Sequence, residues 1–135
     1  MLLIRHARAG DRRDWAGDDR RRPLDGRGRA QAAALPQLLD DYGLERILSS
    51  PADRCLQTVE VLAHARRIEI EVCDELAEER QASDGADLVR HLLGKPIAVS
   101  CHGGLSEVVT GEGQKKAETL VLDERGRVVG RLRPR

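Results

Sequence analysis

Two continuous aliphatic runs, at residues 2–4 and 97–99, constrain the fold of this chain more than any other feature. The first run leads directly into Arg5 and His6, and the second lies just before His102. An apolar run without polar alternation is typical of a strand that is buried on both faces of an α/β sheet. Because ligands of such sheets bind beyond the carboxyl ends of the strands, we expect both histidines at a ligand-binding edge.

The segments between these runs alternate between helical and strand periodicity. Helices are predicted from Asp25 to about Tyr42, from Ser50 to about residue 65 and over residues 84–93, with strands around residues 46–48 and 68–72 and a hairpin over residues 120–132. We expect Ser50 to cap the second helix and Pro36 to kink or divide the first. The alternation predicts a largely parallel sheet covered by helices.

The composition narrows the class of protein. The length of 135 residues predicts one domain, residues 1–135. Phe is absent, Trp and Tyr occur once each and the net charge is zero, which argues against nucleic-acid binding through aromatic stacking and a basic groove. No signal-peptide pattern and no apolar run of membrane-spanning length occurs. We therefore expect a cytoplasmic protein without nucleic-acid or membrane partners.

A third candidate, Arg54, accompanies the two histidines. It lies in the first turn of the predicted second helix, directly after a strand, where helix-end amides and an arginine hold phosphate oxygens together. Arg5 is a fixed cation beside His6, so an anion site with an imidazole nucleophile or base is indicated. A metal site is not expected, because the histidines lack a third ligand and Arg5 would repel a cation.

Two other phosphate-handling motifs are excluded by spacing. A cysteine-phosphatase loop needs an arginine six residues after the cysteine, but Cys55 is followed there by Val61 and Cys101 by Glu107. No glycine-rich loop ending in Lys-Ser/Thr occurs.

Four segments, in order along residues 3–103, resemble the histidine phosphatase superfamily. They are Leu3-Ile4-Arg5-His6-Ala7, Ser49-Ser50-Pro51-Ala52-Asp53-Arg54 with Thr58, Leu76-Ala77-Glu78 and Val99-Ser100-Cys101-His102-Gly103. The resemblance is to the small SixA-like branch, and further detail in residues 8–24 is similar to phosphatase domains fused to bacterial MutT (Nudix) hydrolases. It implies a phosphoglycerate-mutase-like fold, a three-layer α/β/α sandwich with a mostly parallel central sheet.

The resemblance also implies a role for each matching residue. His6 corresponds to the nucleophile, which forms a phosphohistidine, and His102 to a second histidine of the pocket. Arg5 and Arg54 correspond to the two phosphate-binding arginines, and Glu78 to the acid that protonates the leaving oxygen. Arg12 lies near where some members place another phosphate contact.

Elementary chemistry adds two requirements to these roles. An imidazole attacks phosphorus only when it is neutral, and nearby cations lower the pKa of His6. Glu78 must be protonated to act as an acid, so we expect a raised pKa, with its neighbours Glu75 and Glu79 contributing.

Three functions are open at this point. The leading hypothesis is a metal-independent phosphatase without a cofactor, acting on a phosphorylated small molecule or nucleotide through a phosphohistidine on His6. An alternative is a SixA-like phosphatase of phosphohistidine on a partner protein. The third is a non-catalytic phosphate- or protein-binding domain on the same fold.

Overall fold

The computed structural model describes residues 1–135 and contains one six-stranded mixed sheet. Its strands are β1 (Leu2–Arg5), β2 (Arg46–Ser49), β3 (Ile70–Val72), β4 (Ile97–Cys101), β5 (Thr119–Leu122) and β6 (Val128–Leu132). The order across the sheet is β3-β2-β4-β1-β5-β6. The first four of these strands are parallel to one another, and β5 and β6 form an antiparallel hairpin beside β1. The mostly parallel sheet predicted from the sequence is confirmed.

The helices cover both faces of the sheet. They are α1 (Gly26–Leu38), α2 (Asp53–Arg66), α3 (Ala82–Leu92) and α4 (Leu105–Thr110), and three short 3-10 helices lie in the loops. Leu35 of α1 and Leu62 of α2 pack with Ile4 on one face. Val89 of α3 packs with Leu3 on the other face. Adjacent residues of β1 thus enter different cores, which is why that strand is a continuous apolar run.

Two local expectations were wrong. Ser50 does not cap α2, because that helix begins at Asp53 with Ala52 before it, and the Ser50 hydroxyl is bonded to His102 instead. Pro36 does not divide α1, since it lies in the last turn of a helix that runs on to Leu38, where few backbone hydrogen bonds remain to be lost.

The strand register places the ends of β1 and β4 side by side. The two strands are parallel neighbours, and Arg5 is paired with Cys101. The next residue of one strand is His6 and that of the other is His102, so both histidines leave the sheet at the same edge. None of the four helices is both long enough and apolar enough to cross a bilayer.

Candidate active site

His6 and His102 lie against each other at the carboxyl edge of the sheet. Their ring centroids are 5.6 Å apart, with the ring planes inclined at 66°. Only 7% of His6 and 6% of His102 is exposed. The sequence-based expectation that the two histidines meet at one edge is therefore confirmed by the fold.

A backbone contact fixes the tautomer of His6. Its Nδ1 lies 2.8 Å from the carbonyl oxygen of Ala7, and because a carbonyl can only accept, Nδ1 carries the proton and Nε2 keeps its lone pair. Ala7 is itself held in place, because its backbone N–H donates to Thr58 Oγ1 at 2.9 Å. Burial lowers the pKa of His6 to about 3, and the charges of His102, Arg54 and Arg5 act in the same direction. The imidazole is thus neutral at physiological pH.

His102 is held by the loop that follows β2. Its Nε2 lies 2.8 Å from Ser50 Oγ, and Cys55 Sγ lies 3.5 Å from the same nitrogen. On the other side of the ring, Nδ1 is 3.6 Å from Glu78 Oε2. Burial lowers the pKa of His102 to about 4, against the opposing effect of the Glu78 carboxylate.

Each of the two predicted phosphate-binding arginines has a buried N–H group without an acceptor. The guanidinium of Arg54 is almost fully buried, and its Nη1 donates to the carbonyl oxygen of Asp19 at 2.7 Å. Arg5 Nη1 donates to the carbonyl oxygen of Gln114 at 2.6 Å. The Nε atoms of both arginines are buried and unpaired. Buried donors without a partner are uncommon, and an oxyanion would satisfy them.

A glycine makes room for Arg5. A Cβ atom on Gly103 would lie 2.9 Å from Arg5 Cζ and 3.0 Å from its Nη2. Since real Cβ contacts do not approach so closely, Gly103 allows the guanidinium to lie directly on the backbone that follows His102.

Glu78 lies beside cationic side chains, and its pKa is lowered, whereas a raised pKa was expected. Its Oε1 accepts a hydrogen bond from Arg12 Nη2 at 2.9 Å, and its Oε2 is ion-paired with Arg54. Burial would raise the pKa of Glu78, but the hydrogen bond from Arg12 and the charge of Arg54 lower it below its ordinary value. The expected raised pKa was wrong. Glu79, which was expected to contribute, instead lies 3.8 Å from Arg20.

Arg12 and Glu78 line a large polar cleft in front of His6. The cleft has a volume of about 830 Å³, and none of its 13 lining residues is hydrophobic. Seven of the lining residues are basic, namely Arg5, Arg8, Arg12, Arg22, Arg27, Lys116 and Arg133. His102 and Arg54 line two smaller pockets, which share Glu78 with the cleft. No group of three His, Cys, Asp or Glu side chains is placed to bind a metal.

The structure brings all six predicted site residues to this edge and adds others that sequence reasoning missed. The additional residues are Asp19 and Gln114, whose carbonyl oxygens hold the arginines, Ser50, which contacts His102, and the cleft cations Lys116 and Arg133. Ser50 was within a recognised motif, but its role in the site was not deduced. Asp19 lies within residues 8–24, whose resemblance was noted without a role for it, and Gln114, Lys116 and Arg133 carry no local signal because their partners are remote in sequence.

Comparison with known proteins places the first part of the chain in a family. Residues 1–84 match the model of the histidine phosphatase superfamily (branch 1). An 8-oxo-(d)GTP phosphatase of Mycolicibacterium smegmatis is 42% identical over 93 residues, which are 69% of this chain and 29% of that protein. An uncharacterised protein of Picosynechococcus is 42% identical over 67 residues, 48% of this chain and 40% of its own length. The chain thus spans less than half of either relative.

Solved structures share the whole architecture. The SixA protein of Agrobacterium tumefaciens superimposes with a TM-score of 0.80 at 26% identity, covering 99% of this chain and 97% of that one. A protein histidine phosphatase SixA in complex with tungstate gives a TM-score of 0.77 at 23% identity, covering 98% and 96%. A mycobacterial glucosyl-3-phosphoglycerate phosphatase gives 0.70 at 16% identity, covering 89% and 87%. The last two likenesses concern the fold alone, which is the predicted phosphoglycerate-mutase-like sandwich.

Proposed function

The chain belongs to the histidine phosphatase superfamily, and on this premise we propose that it is a metal-independent phosphatase that hydrolyses a phosphomonoester or phosphoanhydride through a phosphohistidine on His6. In this proposal residues 1–135 act as a single histidine phosphatase domain. The observation that carries the proposal is the pair of buried, neutral imidazoles, 5.6 Å apart, beside two guanidinium groups that each have a buried, unpaired Nε–H donor.

The first step is attack of His6 on phosphorus. The Ala7 carbonyl holds the proton on Nδ1, so the Nε2 lone pair is the nucleophile. A P–N bond forms, the P–O bond to the leaving group breaks, and that electron pair departs on the leaving oxygen. In the second step water attacks the phosphohistidine, the P–N bond breaks and its electron pair returns to Nε2, which releases inorganic phosphate.

The negative charge of the transferring group is held by the fixed donors around it. Arg5 and Arg54 supply the guanidinium N–H groups, and the burial of their Nε atoms makes these contacts stronger than they would be in water. His102, the second imidazole of the site, is proposed as a further donor. If Ser50 donates to Nε2 of His102, the proton of that ring lies on Nδ1 and is available to a phosphoryl oxygen.

Glu78 is proposed as the acid and Arg12 as a further phosphate contact. Arg12 and Arg54 both contact the Glu78 carboxylate. A phosphoryl group would compete with that carboxylate for the same two guanidinium groups. Losing these partners and gaining an anionic neighbour would both raise the pKa of Glu78, which would allow it to protonate a leaving oxygen and later to accept a proton from water.

The cleft favours a phosphorylated small molecule or nucleotide as substrate. None of its lining residues is hydrophobic, and seven of them are basic. The relative from M. smegmatis, which is named as an 8-oxo-(d)GTP phosphatase, favours the same class. The likeness to A. tumefaciens SixA at 26% identity favours the second candidate, a phosphatase of phosphohistidine on a protein.

Trapping of the intermediate tests the proposal and separates it from a non-catalytic phosphate-binding domain. Wild-type protein and the His6→Ala variant are mixed with a radiolabelled phosphomonoester and quenched in alkali, in which phosphohistidine survives. We expect labelled wild type, unlabelled His6→Ala and loss of turnover in that variant. His64→Ala, which removes an exposed histidine of α2, is the matched control. Turnover that persists in His6→Ala, or a wild type with neither label nor turnover, contradicts the proposal.

A further inference from the structure

Three basic residues of the cleft lie outside the set proposed for phosphoryl transfer and have no acidic partner. We refer to Arg27, Lys116 and Arg133 as the distal cluster. All three line the same cleft as His6, and none of them forms an ion pair with any carboxylate of the protein. Arg133 Nε donates to the carbonyl oxygen of Lys116 at 3.1 Å, which holds these two residues together.

A strained backbone position fixes Lys116 beside the nucleophile strand. The next residue, Ala117, is fully buried and has a φ of 64°, in the left-handed region that non-glycine residues rarely adopt. Its N–H lies 3.2 Å from the carbonyl oxygen of Arg5 and 3.1 Å from that of His6. Such strain persists only where the surrounding structure enforces it, and it concentrates at functional sites. Here it holds the distal cluster at a set position relative to His6.

The charges around Lys116 are not balanced within the protein. Burial lowers the pKa of Lys116, and repulsion from Arg5, Arg22 and Arg8 lowers it further, with Asp25 acting in the opposite direction. The two acidic residues that line the cleft are already engaged. Asp11 is bound by Arg13, and Glu78 is bound by Arg12 and Arg54. A bound anion would supply the missing negative charge.

The size and lining of the cleft indicate the shape of that anion. A single phosphate at His6 would fill only a small part of about 830 Å³, which is within the range of pockets that enclose whole small-molecule ligands. Because no hydrophobic residue lines the cleft, the remaining space is suited to charged groups rather than to apolar side chains of a peptide. The anion therefore extends from His6 towards the distal cluster.

We propose that the distal cluster binds the inner phosphates of an oligophosphate chain whose terminal phosphoryl group is transferred to His6. The substrate class is then a di- or triphosphate, and this inference rests on the proposed function. When Nε2 of His6 attacks the terminal phosphorus, the bridging P–O bond breaks and its electron pair stays on the inner phosphate, which is held by Lys116, Arg133 and Arg27.

The state of Glu78 is consistent with this substrate class. An inner phosphate is a weak base and leaves as an anion without a proton, whereas the alkoxide of a phosphomonoester needs an acid. Glu78 is ion-paired with Arg54 and accepts a hydrogen bond from Arg12, so it is held in its ionised form. Cleavage of an anhydride therefore does not depend on the rise in the pKa of Glu78 that a phosphomonoester requires.

Calorimetric titration in buffer with chelator tests the distal cluster without requiring turnover. The probes are inorganic tripolyphosphate and inorganic phosphate, titrated into wild type, Lys116→Gln and Arg133→Gln. We expect tripolyphosphate to bind wild type at least about tenfold more tightly than phosphate does. We expect each substitution to lower the affinity for tripolyphosphate by about tenfold more than it lowers the affinity for phosphate. Lys115→Gln is the matched control, because it removes the same charge from the adjacent exposed residue, which does not line the cleft.

Three results of the titrations would overturn the inference. They are equal affinity of wild type for the two anions, an equal loss of the two affinities in the distal variants, and the same selective loss in Lys115→Gln. The phosphoenzyme experiment with His6→Ala keeps the two proposals apart. If the phosphoenzyme forms but kcat/KM for ADP does not exceed that for p-nitrophenyl phosphate, the inference fails and the proposed function stands. If tripolyphosphate binds through the distal cluster but no phosphoenzyme forms, the proposed function fails, and with it the transfer to His6, while the assignment of the distal cluster as an oligophosphate-binding site stands.

Discussion

The carboxylate of Glu78 is ion-paired with the guanidinium of Arg54, a side chain that is only 2% exposed, whereas that of Glu78 is 41% exposed. The proposed acid is therefore in contact with one of the groups proposed to bind the substrate phosphate. An incoming phosphoryl group and Glu78 compete for this arginine. The carboxylate is a built-in counter-ion, which limits phosphate affinity while it keeps a buried positive charge paired.

Replacing the counter-ion should separate binding from catalysis. In Glu78→Gln the charge that competes for Arg54 is lost, and we expect inorganic phosphate to bind about three- to tenfold more tightly. We expect kcat for an alkyl phosphomonoester to fall by about 10²-fold or more, because the acid is gone. Calorimetry and steady-state kinetics measure the two effects. Glu79→Gln, which changes the adjacent acidic residue, is the control, and weaker phosphate binding in Glu78→Gln would contradict the competition.

The two site histidines should make the fold sensitive to acid. Their pKa values, about 3 for His6 and about 4 for His102, lie below the ordinary value of 6.5. Because unfolding releases each ring to bind a proton, the stabilisation due to the neutral rings is complete above pH 6.5. It is lost as the pH falls from there towards 4 and 3, by up to about 1.4 kcal/mol per pH unit for each ring.

Urea titrations between pH 7 and pH 4 measure this dependence. The free energy of unfolding of wild type should decline steeply over that range, and a His6→Asn/His102→Asn double variant should show a shallower decline. Parallel declines in the two proteins would show that the buried histidines do not account for the acid sensitivity.

A methyl group at residue 103 should damage the site more than the fold. In Gly103→Ala the new Cβ would lie 2.9 Å from Arg5 Cζ, so the guanidinium must shift. We expect kcat/KM to fall by about 10- to 100-fold, since small displacements of a positioning group are costly. Gly43→Ala is the matched control, because nothing lies within 4 Å of a Cβ at that position. Equal activities of the two variants would argue against a role for Arg5.

The Ser50 hydroxyl should act through the orientation of His102. Removing it in Ser50→Ala leaves Nε2 of a buried ring without its partner at 2.8 Å, at a cost of about 1–3 kcal/mol. We expect kcat/KM to fall by about tenfold or more, and Ser50→Thr to restore most of it because the hydroxyl is retained. Ser83→Ala, at an exposed position, should behave as wild type. If Ser50→Thr fails as badly as Ser50→Ala while its melting temperature is normal, the hydrogen bond is not the reason.

Activity should not depend on a divalent metal. In the proposed mechanism, Arg5, Arg54 and His102 stabilise the negative charge of the phosphoryl group. Their N–H donors do so without a metal ion between them and the phosphoryl oxygens. We expect turnover of p-nitrophenyl phosphate to be the same, within about twofold, before and after dialysis against chelator. A loss that added Mg²⁺ reverses would count against the proposed mechanism.

The sequence allowed the core of the fold to be predicted because its signal is local. In β1, Leu3 and Ile4 enter cores on opposite faces of the sheet. The apolar run by itself therefore indicates a strand that is covered on both sides. The proximity of His6 and His102 was also predictable, since each directly follows a buried strand. It required only that β1 and β4 be neighbours in the sheet.

The rest of the site depends on contacts that no local pattern reports. The pKa of Glu78 was inferred from its sequence neighbours, but Arg12 and Arg54 approach it from remote segments and reverse the shift. Ser50 resembles a helix cap, yet a tertiary hydrogen bond to His102 takes its hydroxyl. Lys116 is in an unremarkable polar stretch, and only the fold brings it to the cleft.

The N–H of Ala117, which lies between the carbonyl oxygens of Arg5 and His6, links the beginning of the chain to its end. This residue follows the segment, residues 1–84, that carries the family match. The peptide planes on either side of the nucleophile are thus anchored by a stretch outside that segment. An insertion or deletion before β5 would reach the reacting imidazole through main-chain hydrogen bonds, so the length of this turn is a means of tuning the site without replacing any side chain around the phosphoryl group.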